Sequence, residues 1–179
     1  MGSESHGEPT YDRVRFTRLP LDSMDDAEGR LLLALWQAKR GGRRAPARAE
    51  FDPAELKTLL PRLILVEVRH DPLDFRYRVS GTDIYNIHGL ELTGKSVRDL
   101  TPADYAQEVW REMTDLIATW EPQFSRLEFI SRDGKSRSYT VLRLPLSSDG
   151  TTVDRVFVQS MFGPERQRLK EMLQQFRRH

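Results

Sequence analysis

The hydrophobic positions of this chain change period in a set order. Ile64, Val66 and Val68 alternate, His70-Asp71-Pro72 turns, and Phe75, Tyr77 and Val79 alternate against Arg76 and Arg78. Residues 62–80 therefore predict two strands joined by a tight turn. A second set follows over residues 124–162. Leu127 and Phe129 alternate with Arg126 and Glu128 up to Asp133-Gly134, residues 139–146 form the next run, and Val156 and Val158 lie beyond the Asp149-Gly150 turn. Within 139–146 the phase is ambiguous. Tyr139 and Val141 cannot share a face with Leu142, Leu144 and Leu146 unless a bulge intervenes.

Between and around these strands the period becomes helical. Ser23 and Asp26 offer a capping box for a helix reaching Arg40, with Ala27, Leu31, Ala34, Leu35 and Ala38 as its stripe, Trp36 widening it and Gly41-Gly42 ending it. Asp52 caps a short helix over 53–60, with Pro53 in its first turn, Glu55 three residues after the cap, and Phe51 and Leu56 as a hydrophobic staple. Pro61 stops it. The longest helix covers 101–121, where Tyr105, Val109, Met113, Leu116, Ile117 and Trp120 return to one face before Pro122. Gly163-Pro164 opens a last helix with Leu169, Met172, Leu173 and Phe176 on one side.

Two strands, a helical middle and three strands predict an α+β domain built on one five-stranded antiparallel sheet. The middle helices cover one face, and extra helices flank the sheet at both ends. The expected division is a flexible tail at 1–22, a helical extension at 23–61, a core at 62–162 and a C-terminal helix at 163–179. The tail is read as loose, or as an arm ordered by a partner.

Composition narrows the function. The 28 Lys+Arg against 27 Asp+Glu leave a net charge of +1, which gives no field to gather nucleic acid. With no cysteine there is no disulfide, thiolate metal site or cysteine nucleophile. No apolar run is long enough to insert in a membrane, and the polar start lacks a signal core, so a cytoplasmic protein is expected. Catalytic patterns are absent too: no His-Glu-x-x-His, no Gly-x-Ser-x-Gly and no convergent pair of acids. No catalytic or metal-ligating residue is assigned.

The order of elements resembles the PAS fold, in which a strand pair, a helical clamp and a three-strand meander enclose a small-molecule cavity. The residues are also similar to a short stand-alone PAS-related family common in alphaproteobacteria. The matching features are Trp36 with Gly41-Gly42, Pro46-Ala47-Arg48, Phe51-Asp52-Pro53, Leu59-Leu60-Pro61, Phe75-Arg76-Tyr77-Arg78, Gly81-Thr82 and Leu92-Thr93-Gly94-Lys95. The resemblance runs from about residue 26 to residue 162. It implies a non-enzymatic sensory or regulatory protein acting through contacts with a separate signalling protein, with a ligand in the cavity as a tuning device. The alternatives are a ligand-free structural or adaptor homodimer and, more remotely, a small-substrate enzyme of α+β fold.

The clamp, residues 81–100, would wall such a cavity. Tyr77, Ile84, Ile87, Val97, Leu100, Phe129 and Tyr139 are its candidate ligand-binding residues, apolar with a few hydroxyls; the competing reading is a filled core. The cofactor is left unknown, with haem and flavin both disfavoured. His88 is a lone histidine without a large apolar cage, and zero cysteines exclude a flavin–cysteinyl adduct. Arg76, Arg78, Arg126 and Glu128 read as a solvated outer face. The basic stretch Lys39, Arg40, Arg43, Arg44 and Arg48 reads as a connector, with phosphate contact as the alternative.

The end helices carry a surplus of apolar surface. Roughly 200–300 Å² on the last helix, left in water, would forgo about 5–7 kcal/mol. A homodimer interface through Leu31, Leu35, Leu169, Met172, Leu173 and Phe176 is expected to cover it.

Overall fold

The computed structural model describes residues 13–83, 91–130, 134, 136–163 and 171. Six strands form one antiparallel sheet: β1 (Arg13–Leu19), β2 (Leu63–Arg69), β3 (Asp74–Ser80), β4 (Gln123–Ile130), β5 (Ser136–Leu146) and β6 (Arg155–Met161), in the order β1-β4-β5-β6-β2-β3. Among the described residues three α-helices with defined bounds accompany it: α1 (Ala27–Arg40), α2 (Pro53–Leu56) and α3 (Ala103–Thr119). The five strands expected from alternation are all present.

The sixth strand corrects the expected tail. Residues 13–19 pair with β4, from Arg13 opposite Ile130 to Leu19 opposite Phe124. Val14 and Phe16 alternate there with Arg13, Arg15 and Thr17 and pack on the core from a half-buried position. An outer-face ion pair, Arg15 Nη2 to Glu128 Oε2 at 2.8 Å, fixes the register further.

Both faces of the sheet are covered, which resolves the ambiguous phase of residues 139–146. The β5 ladder runs in unbroken register with β4 and β6, so no bulge is needed. Tyr139, Val141 and Arg143 face α3, while Leu142, Leu144 and Leu146 face α1, and all six are buried. On the second face Trp36 of α1 donates its indole N–H to the Pro145 carbonyl at 2.7 Å, and Phe51 meets the Phe157 ring edge-on at 5.0 Å. This helical extension is thus one layer of the core.

The buried stripe of α1 also differs from the expected one. Gly29, Leu32 and Trp36 face the sheet, whereas Leu31 is 43% exposed and Ala34 and Ala38 lie in solvent. The run Leu31-Leu32-Leu33-Ala34-Leu35-Trp36 is apolar nearly all round, so periodicity does not select a face there. Asp26 alone caps the helix, accepting from Gly29 N at 2.8 Å. At α2 the box forms as read: Asp52 accepts from Ala54 N at 2.8 Å, and Glu55 accepts from Asp52 N at 3.0 Å. That helix ends at Leu56, short of the expected 60, and a 3-10 turn at Leu60–Arg62 follows.

Candidate functional site

The candidate site expected from the sequence corresponds to the core between α3 and the inner sheet face. Tyr105, Val109, Met113 and Leu116 form the buried stripe of α3. Against them stand Phe75 and Tyr77 from β3, Leu127 and Phe129 from β4, and Tyr139 and Val141 from β5, all buried. The clamp is tied to β3 through its backbone: Tyr77 N donates to Lys95 O at 2.9 Å, and Gly94 N to Tyr77 O at 2.7 Å. Ser96 Oγ donates to Asp74 Oδ1 at 2.6 Å, and behind it Val97 and Leu100 enter the same core. Five of the seven expected lining residues, Tyr77, Val97, Leu100, Phe129 and Tyr139, therefore meet in one cluster. Ile84, Ile87 and His88 lie outside the described residues.

Hydroxyls are concentrated in this core. Tyr105 Oη and Tyr139 Oη share a hydrogen bond of 3.1 Å. Tyr105 also meets Phe129 at 5.6 Å between ring centres, and Tyr139 meets Phe162 at 5.2 Å. Burial pushes the phenols of Tyr77, Tyr105 and Tyr139 above their ordinary pKa range, so all three are neutral hydroxyls near neutral pH.

One buried charge stands beside them. Arg143 of β5 is 3% exposed, and its positive charge acts on all three phenols in favour of their ionised forms. Its guanidinium carbon lies 5.0 Å from the centre of the Phe16 ring, and its Nη1 is 3.6 Å from Glu112 Oε2 on α3. Burial lowers the Arg143 pKa and the Glu112 charge raises it; an arginine stays charged regardless. Glu112 Oε2 already accepts from Ser125 Oγ at 3.1 Å and Arg18 Nη2 at 3.3 Å. Arg18 also reaches Asp115, and Gln123 Nε2 bonds Glu112 O and Asp115 Oδ2.

Arg143 and Glu112 were not among the candidates read from the sequence. A signal existed: Arg143 interrupts the apolar run from Val141 to Leu146. An open groove of about 380 Å³, lined by Arg98, Ala103, Ala106, Gln107 and Trp110, runs along the start of α3 and includes none of the expected lining residues. Arg98 lies 4.2 Å from the centre of the Trp110 ring there.

The other charged candidates are accounted for locally. Arg78 pairs with Glu67, and Arg76 Nε lies 2.9 Å from Asp74 Oδ2. β3 and β4 stand apart in the sheet, so neither arginine meets Arg126 or Glu128. In the basic stretch Lys39 pairs with Glu55 and Arg43 with Glu50, while Arg40, Arg44 and Arg48 sit over Trp36, Trp120 and Phe157. Of the expected interface, Leu31 is exposed and Leu35 half-buried; Leu169, Met172, Leu173 and Phe176 lie outside the described residues. Among the described residues no group of three or more His, Cys, Asp or Glu is placed to hold a metal. Nor is any described helix long and apolar enough to cross a membrane.

A single antiparallel sheet with its helical cover inserted between the second and third core strands is the architecture of a PAS-type α+β domain. The chain belongs to the PAS-domain family, whose model matches residues 24–159. Domains of this family are typically sensory modules without catalysis. No curated protein matches the chain.

Similar solved structures include an RNA-binding light-oxygen-voltage receptor, at 14% identity and TM-score 0.46. That match covers 96% of this chain and 44% of the receptor, so the chain spans under half of its length. The Rhodobacter sphaeroides LOV protein is 13% identical with TM-score 0.45, covering 64% of this chain and 70% of that one. The PAS domain of an HTR-like protein from Haloarcula marismortui is 17% identical with TM-score 0.38, covering 60% and 88%. The family assignment rests on the match over residues 24–159 and on the strand order.

Proposed function

We propose that this chain is a non-enzymatic regulatory protein of the cytoplasm, whose interior is tuned by a small ligand and whose output is a protein contact. The observation that supports it is the set of three buried phenols and one buried guanidinium between α3 and the sheet. Such a mixture of apolar walls and a few polar groups suits a ligand better than a plain core does. The clamp shares backbone hydrogen bonds with β3 beside Tyr77, so a molecule in the interior would act on both. The contact proposed for output is a homodimer through the outward side of α1, where Leu31 and Leu35 remain uncovered or half-covered. A separate signalling protein would read that dimer.

Native mass spectrometry on protein purified from cells tests both parts. The expected result is twice the 20.8 kDa chain mass plus a small retained mass. A dimer without added mass would leave a ligand-free adaptor. A bare monomer, unchanged by Leu31→Asp, would overturn the ligand and the dimer together.

A further inference from the structure

We infer that the apolar side of residues 164–179 docks on the outer face of β2 and β3 in the same chain. The inference goes beyond the function proposed above and depends on neither the ligand nor the dimer. It starts from a row of side chains that runs out of the core. Phe157 of β6 stands opposite Leu65 of β2, and Leu65 stands opposite Val79 of β3, so the three share one face. Phe157 lies against Phe51 at 1% exposure, Leu65 is half-buried and Val79 is 50% exposed. The helical layer on this face therefore stops short of β3, the last strand of the sheet. Leu60, 43% exposed, extends the uncovered strip. It is held beside the end of β3, because Gly81 packs against the Leu60 and Pro61 carbonyls and donates its N–H to Leu63 O at 3.0 Å. Single exposed apolar residues are ordinary, but two at the open end of a core row mark a face that wants a cover.

The chain supplies that cover at the right place. Gln159 of β6 stands opposite Leu63 of β2, which sets Met161, the end of β6, level with Pro61 and beside Leu60. Gly163 then turns the backbone with φ +57°. In the residues that follow, Leu169, Met172, Leu173 and Phe176 repeat at helical spacing. A helix of this length reaches about 20 Å, enough to cross two strands about 5 Å apart. Glu171 is helical and exposed, and on such a helix it falls opposite the four apolar residues, on the side that docking leaves in solvent. The family match ends at residue 159, so this cover belongs to the chain and not to the domain type.

Charge favours the same seat. Residues 164–179 carry Arg166, Arg168, Lys170, Arg177 and Arg178 against Glu165 and Glu171. Gly29 lies against Met161, and around it the approach to α1 presents Asp22, Asp25, Asp26 and Glu28 against Arg30 and Arg62. The arginines of the β3 edge are held by Glu67 and Asp74. Because the segment starts beside the strip, it meets that face at an effective concentration that a second copy in dilute solution does not reach.

A chain without cysteine lets an introduced disulfide report the contact without background. Val79→Cys is combined in turn with Leu169→Cys, Leu173→Cys and Phe176→Cys on the full chain. Arg111→Cys, exposed on α3 across the sheet, replaces Val79→Cys as the distant control. Under mild oxidation at least one Val79 pair should close an intrachain disulfide about tenfold faster than its control or more. A disulfide between two chains in its place would overturn the intrachain seat and give the strip to a second copy. Equal rates in the Val79 pairs and their controls would overturn the docking itself. Trypsin cleavage after Arg168 and Lys170 is the second readout, since a docked segment is cut only when it opens. Val79→Asp, a change at a half-exposed position, should speed that cleavage by about tenfold, and an unchanged rate would overturn the seat. A bare monomer in native spectra would remove the function proposed above and leave this seat standing.

Discussion

Replacing Trp36 by alanine removes the anchor that holds α1 on the outer sheet face. The side chain is 1% exposed, donates its indole N–H to Pro145 O at 2.7 Å and lies under the Arg40 guanidinium. Truncating a buried aromatic to alanine costs about 3–5 kcal/mol, from lost transfer energy and the cavity left behind. Against a domain stability of about 5–15 kcal/mol, that is a large fraction. Trp36→Phe separates the contributions. It keeps most of the ring volume, deletes the donor and leaves the Pro145 carbonyl without it, at about 1–3 kcal/mol. Ala34→Gln on the solvent side should stay within about 0.5 kcal/mol.

Urea unfolding followed by far-UV circular dichroism suits the series, since it does not rely on the tryptophan being removed. With a slope of about 2 kcal/mol per M, Trp36→Ala should lower the midpoint by about 2 M. A loss under about 1 kcal/mol for Trp36→Ala, or an Ala34→Gln cost as large, would refute the docking of α1 as a core layer.

Two further outcomes follow from the packing and hydrogen bonds of the fold. A Cβ added at Gly81 would stand 2.3 Å from both Leu60 O and Pro61 O, rigid backbone atoms, so Gly81→Ala should cost at least about 1–3 kcal/mol in the same assay; an unchanged midpoint would show that the Leu60–Arg62 turn does not pack there. Asp149 accepts from Thr152 N and Thr151 N, which holds its carboxyl well below the usual range. A depressed folded pKa stabilises above the unfolded value near 3.9 and is lost as pH falls through the folded one. The advantage of wild type over Asp149→Asn should thus be full above about pH 5 and shrink toward pH 2, and an advantage that grows with acid would contradict the turn geometry.

Much of the fold was legible because it is written in neighbouring residues. The Asp52–Glu55 box, the long helix with Tyr105, Val109, Met113 and Leu116 inward, and five of the six strands all show in patterns that span only a few positions, although the strand β2 finds its neighbour β6 about ninety residues away. The two-strand, helix, three-strand order followed from them, and with it the core that gathers Tyr77, Phe129 and Tyr139. β1 escaped despite the alternation of Val14 and Phe16, since its partner β4 lies more than a hundred residues away and no tight turn announces the pairing.

Burial was the other thing that local pattern could not decide. Residues 139–146 have side chains of similar character on both faces, and only the arrival of α1 on one side and α3 on the other made both faces interior. The six-residue apolar run in α1 permitted several stripes; the sheet chose Gly29, Leu32 and Trp36 because that face brings the indole N–H to Pro145 O. Arg143 shows the same limit at the site. Its sequence gives a cation within an apolar strand, but β1, β4 and α3 together decide that the cation is buried, half-paired and set beside three phenols. A period records which side chains share a face, whereas the environment of that face is set by segments distant in the chain.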